Sequence, residues 1–309
     1  MAVLVLPTSA FVERQLAALR VIAPRESIFT DPASAPPREI EAILAFRMAA
    51  GIASRFPALQ FVGCAGAGVD ELLATPDLSD RVPITRAVDP LQGTRMAQYV
   101  ALAALRHYRD LPRFEAQQRE ARWNRPPPVP ETDCAVGVMG SGSIGAPVVD
   151  VLSRLGFPVA VWTRTSKATA AAASFAGMDA LPAFLARSRV LVCALPLTPE
   201  TRGLLDAKAF AQLPQGAYVI NVSRGRVLVE ADLLGAVDAG HLAGAALDVY
   251  ETEPLPAESP LWKHSRILCT PHIAAEPRPD VAAAQFVDNL RRARDGQPLL
   301  HVVDRARGY

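Results

Sequence analysis

Four charged or titratable residues with side chains suited to acid–base chemistry follow predicted strands in the second half of the chain: Arg224, Asp248, Glu253 and His272. Each lies at or just beyond the carboxyl end of an apolar run, the edge at which open α/β sheets bind ligands. Carbonyl reduction needs a cation to polarise the C=O, an acid to protonate its oxygen, and a carboxylate to orient that acid. Arg224, His272 and Glu253 supply one of each.

Each of these side chains also has a purely structural interpretation. Arg224 could be a surface arginine, Glu253 part of an acidic loop, and His272 a hydrogen-bonded core histidine. All four are predicted at the same sheet edge as a glycine-rich loop, and this convergence favours the catalytic interpretation.

The glycine-rich loop lies between a predicted strand and a predicted helix. Residues 134–139 are an apolar run, Gly140, Gly142 and Gly145 have the spacing G-x-G-x-x-G, and apolar residues then recur at helical intervals. Strand, tight turn and helix in this order are typical of a dinucleotide site with the pyrophosphate at the helix N-terminus. An ordinary glycine-rich turn is the alternative.

The next predicted strand, residues 159–162, ends in a basic turn made of Thr163, Arg164, Thr165, Ser166 and Lys167. Enzymes that select NAD carry Asp or Glu near this position for the ribose 2′-hydroxyl. Cations and hydroxyls instead suit a 2′-phosphate, which a guanidinium grips with two hydrogen bonds. The turn therefore predicts NADP (NADPH) as the preferred cofactor, with NAD possible; a solvated basic turn is the alternative.

The first ninety residues alternate strands with helices, which predicts a parallel sheet covered on both faces. The predicted elements are strands 3–6, 43–46 and 60–64 and a helix over 11–19. The small residues Ala65, Gly66, Ala67 and Gly68 follow the third strand and leave backbone N–H groups accessible. A plain turn before a short helix at 70–74 is the alternative.

Later segments predict a second α/β unit after a polar, Pro-rich connection at 123–130. A long helix over 92–109 precedes that connection. The further predicted elements are strands 190–194, 217–222, 242–249 and 267–269, a helix capped by Thr198 with Pro199 at its first position, and helices 230–239 and 282–292. The polar tail, residues 299–309, is expected to be loosely held.

Composition excludes several classes of protein. The chain has 309 residues, enough for two domains, and a formal net charge of +1, so no global field favours nucleic acid. No apolar run is long enough to span a bilayer, and the N-terminus does not resemble a signal peptide. The four cysteines lack metal-site spacing, so we expect no metal and reduced thiols in a cytoplasmic protein.

Several stretches in order resemble the D-isomer-specific 2-hydroxyacid dehydrogenase family across nearly the whole chain: residues 137–145, 195–204, 221–225, 246–255 and 270–275. Within that family the chain is most similar to the glyoxylate/hydroxypyruvate reductase A group. The residues that indicate this are 66–70, Met96 with Tyr99, and the basic turn.

The resemblance implies an α/β fold of two Rossmann/flavodoxin-like, doubly wound parallel-sheet domains with a cleft between them. Residues 1–95 and 276–309 would form a discontinuous substrate-binding domain, and residues 96–275 the NAD(P)-binding domain. The family is usually dimeric through the cofactor domain, which predicts a homodimer.

The resemblance also implies a role for each residue of the site. Arg224 would bind the substrate carboxylate and carbonyl, His272 would donate the proton, and Glu253 would be its partner. Asp248 would hold the nicotinamide carboxamide, and the loop of residues 65–68 would offer N–H groups to the substrate carboxylate.

The predicted cofactor-binding residues are Gly140, Ser141, Gly142, Ser143, Ile144, Gly145, Thr163, Arg164, Thr165, Lys167, Leu195, Pro196, Thr201, Val222, Asp248 and Met96. The predicted substrate-binding residues are Phe46, Ala65, Gly66, Ala67, Gly68, Arg224 and His272. Phe46 stands where the reductase A group tends to carry Trp, which leaves that edge of the pocket less defined.

These observations predict an NADPH-preferring reductase of small 2-keto acids, with glyoxylate and hydroxypyruvate as leading substrates and His272 as general acid. Two alternatives use the same scaffold. One is another 2-hydroxyacid, formate or phosphite dehydrogenase, and the other is a non-catalytic nucleotide-sensing protein of the corepressor type.

Overall fold

Two parallel β-sheets form the cores of two separate units. The computed structural model describes residues 2–127, 129–165 and 173–308. Unit 1 comprises Met1–Leu91 and Glu276–Tyr309, and unit 2 comprises Gln92–Ala275. The first change of unit falls at the start of the long helix, a few residues before the predicted boundary at 95/96.

The strands are β1 (Ala2–Val5), β2 (Ser27–Phe29), β3 (Ile40–Ala45), β4 (Phe61–Cys64), β5 (Ile84–Arg86), β6 (Val136–Met139), β7 (Val159–Thr163), β8 (Ala173–Ala176), β9 (Val190–Cys193), β10 (Ala217–Asn221), β11 (Leu242–Leu247) and β12 (Ile267–Cys269). The α-helices are α1 (Ala10–Ile22), α2 (Asp70–Leu73), α3 (Gln92–Tyr108), α4 (Leu111–Arg119), α5 (Gly145–Arg154), α6 (Leu181–Arg187), α7 (Ala207–Ala211), α8 (Glu230–Asp238) and α9 (Pro279–Arg294).

The sheet of unit 1 has the strand order β2-β1-β3-β4-β5, with every pairing parallel. This is the order of flavodoxin-like folds. Strands β1, β3 and β4 are buried along their whole length, because parallel strands are covered on both faces, and their residues are apolar except for Glu41 of β3. Side chains of α1 and α9 form the core on one face.

The sheet of unit 2 has the order β12-β11-β10-β9-β6-β7-β8, again all parallel. Counted from β6, this is the dinucleotide-binding order with one further strand at the β12 edge, and the order reverses between β6 and β9. The two sheets confirm the predicted Rossmann/flavodoxin-like α/β fold. Helices α3 and α5 pack against each other beside β6.

Some predicted elements differ in extent or were missed. Observed β1, β3, β10 and β11 end one or two residues earlier than predicted, whereas α1 and α9 are longer at both ends. The unpredicted elements are short or weakly buried: β2, β5, β8, α4, α6 and α7. Helix α4 contributes no buried residue, so its sequence lacks the apolar periodicity on which the predictions relied.

The predicted helix after Thr198 is wrong. Residues 199–203 form turns, and the next helix is α7, capped by Asp206, whose carboxylate accepts from Ala209 N at 2.9 Å. The Thr198 hydroxyl instead donates to Glu200 Oε2 at 2.7 Å. Gly203 at φ +64° redirects the chain immediately afterwards, so the segment cannot continue as a helix.

The expectation of a loosely held tail is also wrong. Leu300 N donates to Asn289 Oδ1 at 2.7 Å, Val303 N donates to Ile84 O at 2.8 Å, and Val303 is buried. Arg305 Nη2 donates to Val82 O at 2.9 Å. The prediction was wrong because it rested on the polarity of residues 299–309. The polar groups of this tail form hydrogen bonds with the rest of unit 1.

An ion cluster anchors the end of α9 in unit 1. The Arg294 guanidinium donates to both oxygens of Glu26 at 2.7 Å, and its Nε donates to Glu41 Oε2 at 2.8 Å. The Glu41 side chain is 6% exposed. The hydrogen bonds from Arg294 lower the pKa of Glu26, and burial only partly offsets them. The cluster joins residues more than 250 positions apart in sequence to one helix.

We expect Arg294→Ala to lower the unfolding free energy of unit 1 by about 3–5 kcal/mol, because it leaves the buried Glu41 carboxylate without its partner. Arg14→Ala is the control, because its pair with Glu276 is exposed and contributes at most about 1 kcal/mol. Trp123, Trp162 and Trp262 all lie in unit 2, so native-state hydrogen exchange of peptides from β3 and α9 is the measurement. Equal effects of the two variants would contradict the anchoring role.

Candidate active site

The glycine loop joins β6 to α5, and each of its three glycines meets a different requirement. Gly140 has φ +96°, and a Cβ there would lie 2.8 Å from Ala194 O. A Cβ at Gly145 would overlap the Gly140 carbonyl, whereas no described atom lies within 4 Å of a Cβ built on Gly142. The loop therefore turns tightly, packs α5 against β6, and leaves open space at Gly142.

The residues of this loop fit a dinucleotide pyrophosphate. Helix α5 begins at Gly145, and the N–H groups and dipole of a helix N-terminus attract anions. The Ser141 hydroxyl is buried and has no hydrogen-bond partner within the described residues. A buried hydroxyl is costly without a partner, and a phosphate oxygen would provide one. Ser143 and Ile144 complete the turn into α5.

The basic turn follows β7. Thr163 is buried, and its hydroxyl donates to Thr165 O at 2.8 Å, which bends the chain so that Arg164 and Thr165 are exposed. The Thr198 hydroxyl lowers the pKa of Glu200, and the charge of Arg164 contributes in the same direction. The predicted residue Lys167 lies outside the described residues.

The remaining predicted cofactor residues lie on α3 or beyond the carboxyl ends of β9 and β10. Leu195, Val222 and Met96 are buried in unit 2, with 5–8% of their surface exposed. Thr201 Oγ1 donates to Pro196 O at 2.7 Å and fixes the loop after β9. Their contact with a cofactor stays a prediction.

The loop that carries Arg224 is held by hydrogen bonds within it and by close packing against a second loop. Asn221, fully buried at the end of β10, accepts from the Ser223 hydroxyl at 2.9 Å and donates to Arg224 O at 3.2 Å. Arg224 Nη1 donates to Ser223 O at 2.8 Å. A Cβ at Gly225 would overlap the carbonyl of Tyr250, so only glycine permits this approach of two loops.

Glu253 and His272 form a close pair. Glu253 Oε2 lies 2.7 Å from His272 Nδ1, and Glu253 Oε1 accepts from Tyr250 N at 3.0 Å. Burial raises the pKa of Glu253, but the hydrogen bond and charge of His272 and the nearby Arg224 guanidinium bring it below its ordinary value of 4.5. Glu253 is therefore a carboxylate at neutral pH. Because Nδ1 faces Glu253, Nε2 is the ring nitrogen that remains for a substrate.

Asp248 ties down the loop that carries His272. Its carboxylate is buried and accepts from the Thr270 hydroxyl at 2.6 Å, Ile273 N at 2.9 Å and Ala274 N at 2.8 Å. Sequence reasoning missed this role, although the position of Asp248 at the end of β11 was its signal. The predicted contact with a nicotinamide carboxamide stays a prediction.

In unit 1 the loop of residues 65–68 is fixed through its carbonyl groups. Ala87 N donates to Gly66 O at 3.1 Å, and Cys64 Sγ donates to Gly68 O at 3.2 Å. The ring of Phe46 packs on Gly66, where a Cβ would lie 2.9 Å from it. Binding of a substrate by Phe46 or by Ala65, Gly66, Ala67 and Gly68 stays a prediction.

Gln15 contacts the loop of residues 65–68, and sequence analysis missed it. It is fully buried on α1, and its Nε2 donates to Ala65 O at 2.8 Å. Gln15 interrupts the apolar face of α1 beside Val12, Leu16 and Leu19. A polar residue in such a face must find a partner, and this was the available signal.

No three His, Cys, Asp or Glu side chains among the described residues are arranged to hold a metal ion, and no helix in this part of the chain is long and apolar enough to cross a membrane. The four cysteines form no disulfide, and Cys269 alone among them is half-buried rather than buried.

We expect Gly225→Ala to destabilise unit 2 by about 1–3 kcal/mol, because the added methyl group overlaps the Tyr250 backbone. Gly235→Ala is the control, since it lies within α8 with open space around it and should stabilise by about 0.5–1 kcal/mol. Urea unfolding followed by tryptophan fluorescence reports on unit 2. A neutral or stabilising Gly225→Ala would contradict the close approach of these loops.

The chain is similar to known proteins in sequence and in fold. Residues 101–274 match the family model described as "D-isomer specific 2-hydroxyacid dehydrogenase, NAD binding domain". The chain is 42% identical over 256 residues to glyoxylate/hydroxypyruvate reductase A of Escherichia fergusonii, an alignment that covers 81% of this chain and 82% of the relative.

Two solved structures extend the similarity over the whole chain. A D-isomer specific 2-hydroxyacid dehydrogenase of Xanthobacter autotrophicus Py2, in complex with NADPH and MES, has a TM-score of 0.89 at 44% identity, covering 100% of this chain and 99% of that one. An NADPH-dependent glyoxylate/hydroxypyruvate reductase of Sinorhizobium meliloti, in complex with NADP and sulfate, has a TM-score of 0.91 at 34% identity, covering 100% of both chains. The chain therefore belongs to the D-isomer specific 2-hydroxyacid dehydrogenase family of NAD(P)-dependent oxidoreductases.

Proposed function

We propose that this protein is an NADPH-preferring reductase of small 2-keto acids, with glyoxylate and hydroxypyruvate as the leading substrates. The observation that carries the proposal is the hydrogen-bonded pair of Glu253 and His272, with Nδ1 and Oε2 2.7 Å apart. Arg224 adds the cation, since its charge acts on Glu253. The names of the relatives from Escherichia fergusonii and Sinorhizobium meliloti support the substrate class and the cofactor.

Bound NADPH supplies the hydride that adds to the keto carbon. His272 donates a proton from Nε2 to the keto oxygen, so that the product is a 2-hydroxy acid, and solvent then restores the ring proton. Glu253 stabilises the protonated ring and fixes its orientation. Arg224 holds the substrate carboxylate and polarises the C=O. Holding the reacting groups in place in this way can supply about 7–11 kcal/mol of the barrier reduction.

In this proposal unit 2 is the NAD(P)-binding domain and unit 1 the substrate-binding domain. Association into a homodimer through unit 2 stays a prediction, and a group of exposed apolar side chains supports it: Leu102, Leu111, Phe114 and Trp123. Trp123 is 97% exposed. A cytoplasmic location also stays a prediction.

We expect Glu253→Gln to lower the reduction rate with glyoxylate and NADPH at neutral pH, because the amide lacks the negative charge that stabilises the protonated ring. The pKa of Glu253 lies below 4.5, so the parent keeps this carboxylate at neutral pH and loses it only in acid. The rate of the parent should therefore fall in acid as Glu253 is protonated, and Glu253→Gln should lack this fall. The measurement is the rate as a function of pH, and identical profiles for the two proteins would contradict the pairing.

The control variants separate acid catalysis from cofactor binding. His272→Ala should lose about 10²–10⁴-fold in turnover and retain NADPH binding measured by fluorescence. His264→Ala is the matched control, since its ring bonds to Asp238 at the surface of unit 2, and it should keep normal turnover. Saturable NADPH binding by the parent without turnover of any 2-keto acid would favour the nucleotide-sensing alternative.

We expect Arg164→Asp to lower kcat/KM for NADPH by about 10–150-fold, which corresponds to loss of a charge-assisted contact of about 1.5–3 kcal/mol. The value for NADH should change little, because NADH lacks the 2′-phosphate. Arg154→Asp makes the same charge change at an exposed position of α5 and serves as the control. An equal loss with both cofactors would show that this turn does not bind the 2′-phosphate.

A further inference from the structure

A chain of two hydroxyl groups connects α3 to the loop that carries His272. Tyr99 Oη lies 2.6 Å from Thr270 Oγ1, and Thr270 Oγ1 donates to Asp248 Oδ1, also at 2.6 Å. Since Thr270 gives its only hydroxyl proton to the carboxylate, Tyr99 must be the donor in the first hydrogen bond. The chain therefore runs in one direction, from Tyr99 through Thr270 to Asp248.

Asp248 in turn holds the backbone on the far side of His272. It accepts from Ile273 N and Ala274 N at 2.9 and 2.8 Å, while Thr270 lies on the near side. His272 itself has φ +56°, a conformation that costs a residue with a side chain of the order of 1 kcal/mol or more. Such a backbone conformation persists only when the surrounding structure holds it in place. Asp248 does so through hydrogen bonds on both sides of His272.

Packing does not account for the Tyr99 hydroxyl. The ring lies on the apolar face of α3 beside the buried residues Met96 and Val100, where a phenylalanine would serve equally well. Burial raises the pKa of Tyr99 to about 12, so the phenol keeps the proton that it donates. The hydroxyl therefore serves the hydrogen bond to Thr270.

We propose that Tyr99 is a positioning residue for His272. Its hydroxyl orients Thr270 toward Asp248, and this hydrogen bond holds residues 270–274 in the turn that directs the His272 ring to Glu253. The inference rests on the proposed function, in which His272 is the proton donor. Tyr99 touches neither Glu253 nor His272 in this chain of contacts and acts through the loop.

The test compares Tyr99→Phe, Thr270→Val and the double variant with Tyr108→Phe. Tyr108 lies on the same helix and donates its hydroxyl to Val129 O at 2.6 Å, so its substitution removes an equivalent hydrogen bond elsewhere. With glyoxylate and NADPH, Tyr99→Phe should lose about five- to tenfold in kcat and keep KM for NADPH within about twofold. Tyr108→Phe should stay within about twofold in both.

The double variant decides whether the two hydroxyls act as one unit. If they do, it should be no slower than Thr270→Val alone, because the effect of Tyr99 passes through Thr270. Additive losses would overturn the proposal. So would an unchanged kcat in Tyr99→Phe, or a loss that falls equally on kcat and NADPH binding.

Amide hydrogen exchange at Ile273 and Ala274 provides a readout that does not depend on activity. Exchange should be about fivefold faster in Tyr99→Phe than in the parent and unchanged in Tyr108→Phe. If the parent reduces no 2-keto acid, the proposed function fails, and faster exchange in Tyr99→Phe would still support the control of the loop by Tyr99. Unchanged exchange would overturn it whatever the activity.

Discussion

The arrangement of the candidate active site in unit 2 depends on the buried Asp248 carboxylate at the end of β11. A buried charge must be surrounded by hydrogen-bond donors. Here the donors are the Thr270 side chain and the backbone N–H groups of Ile273 and Ala274. Solvating this charge therefore fixes the course of the chain around His272. The ring then meets Glu253, whose second oxygen is bound to Tyr250 N. Each group in the series is oriented by the one before it, so hydrogen bonds within the protein fix the geometry of the Glu253–His272 pair.

The fold was predictable wherever burial imposes a pattern on the sequence. The central strands of both sheets are mostly apolar, and these strands were found to within a few residues. Strand β8 was missed because it lies at a sheet edge, where half-exposed residues need no apolar pattern. The segment after Thr198 carried the composition of a helix start, but hydrogen bonds among side chains and backbone made it a compact turn.

The site was predictable to the extent that single residue types identify a role. The types and positions of Glu253 and His272 were enough to predict the pair that the structure brings together. Gln15 and Tyr99 could not be placed, because their partners are 50 and 171 positions away in sequence and follow only from the three-dimensional fold. The requirement for glycine at position 225 could not be predicted either, because it comes from the backbone of another loop.

The discontinuity of unit 1 has a consequence for the order of events during translation. The face of its sheet formed by Val3, Val5 and Phe61 is covered by Ala283, Phe286 and Leu290 of α9. Unit 2 is complete once residue 275 has been synthesised, whereas unit 1 still lacks α9, which follows unit 2 in the chain. At about 5–20 residues per second, this face of the first sheet is covered by α1 but not by α9 for many seconds while the second domain emerges. A nascent chain of this protein therefore exposes part of the apolar surface of its first-made domain until α9 has been synthesised.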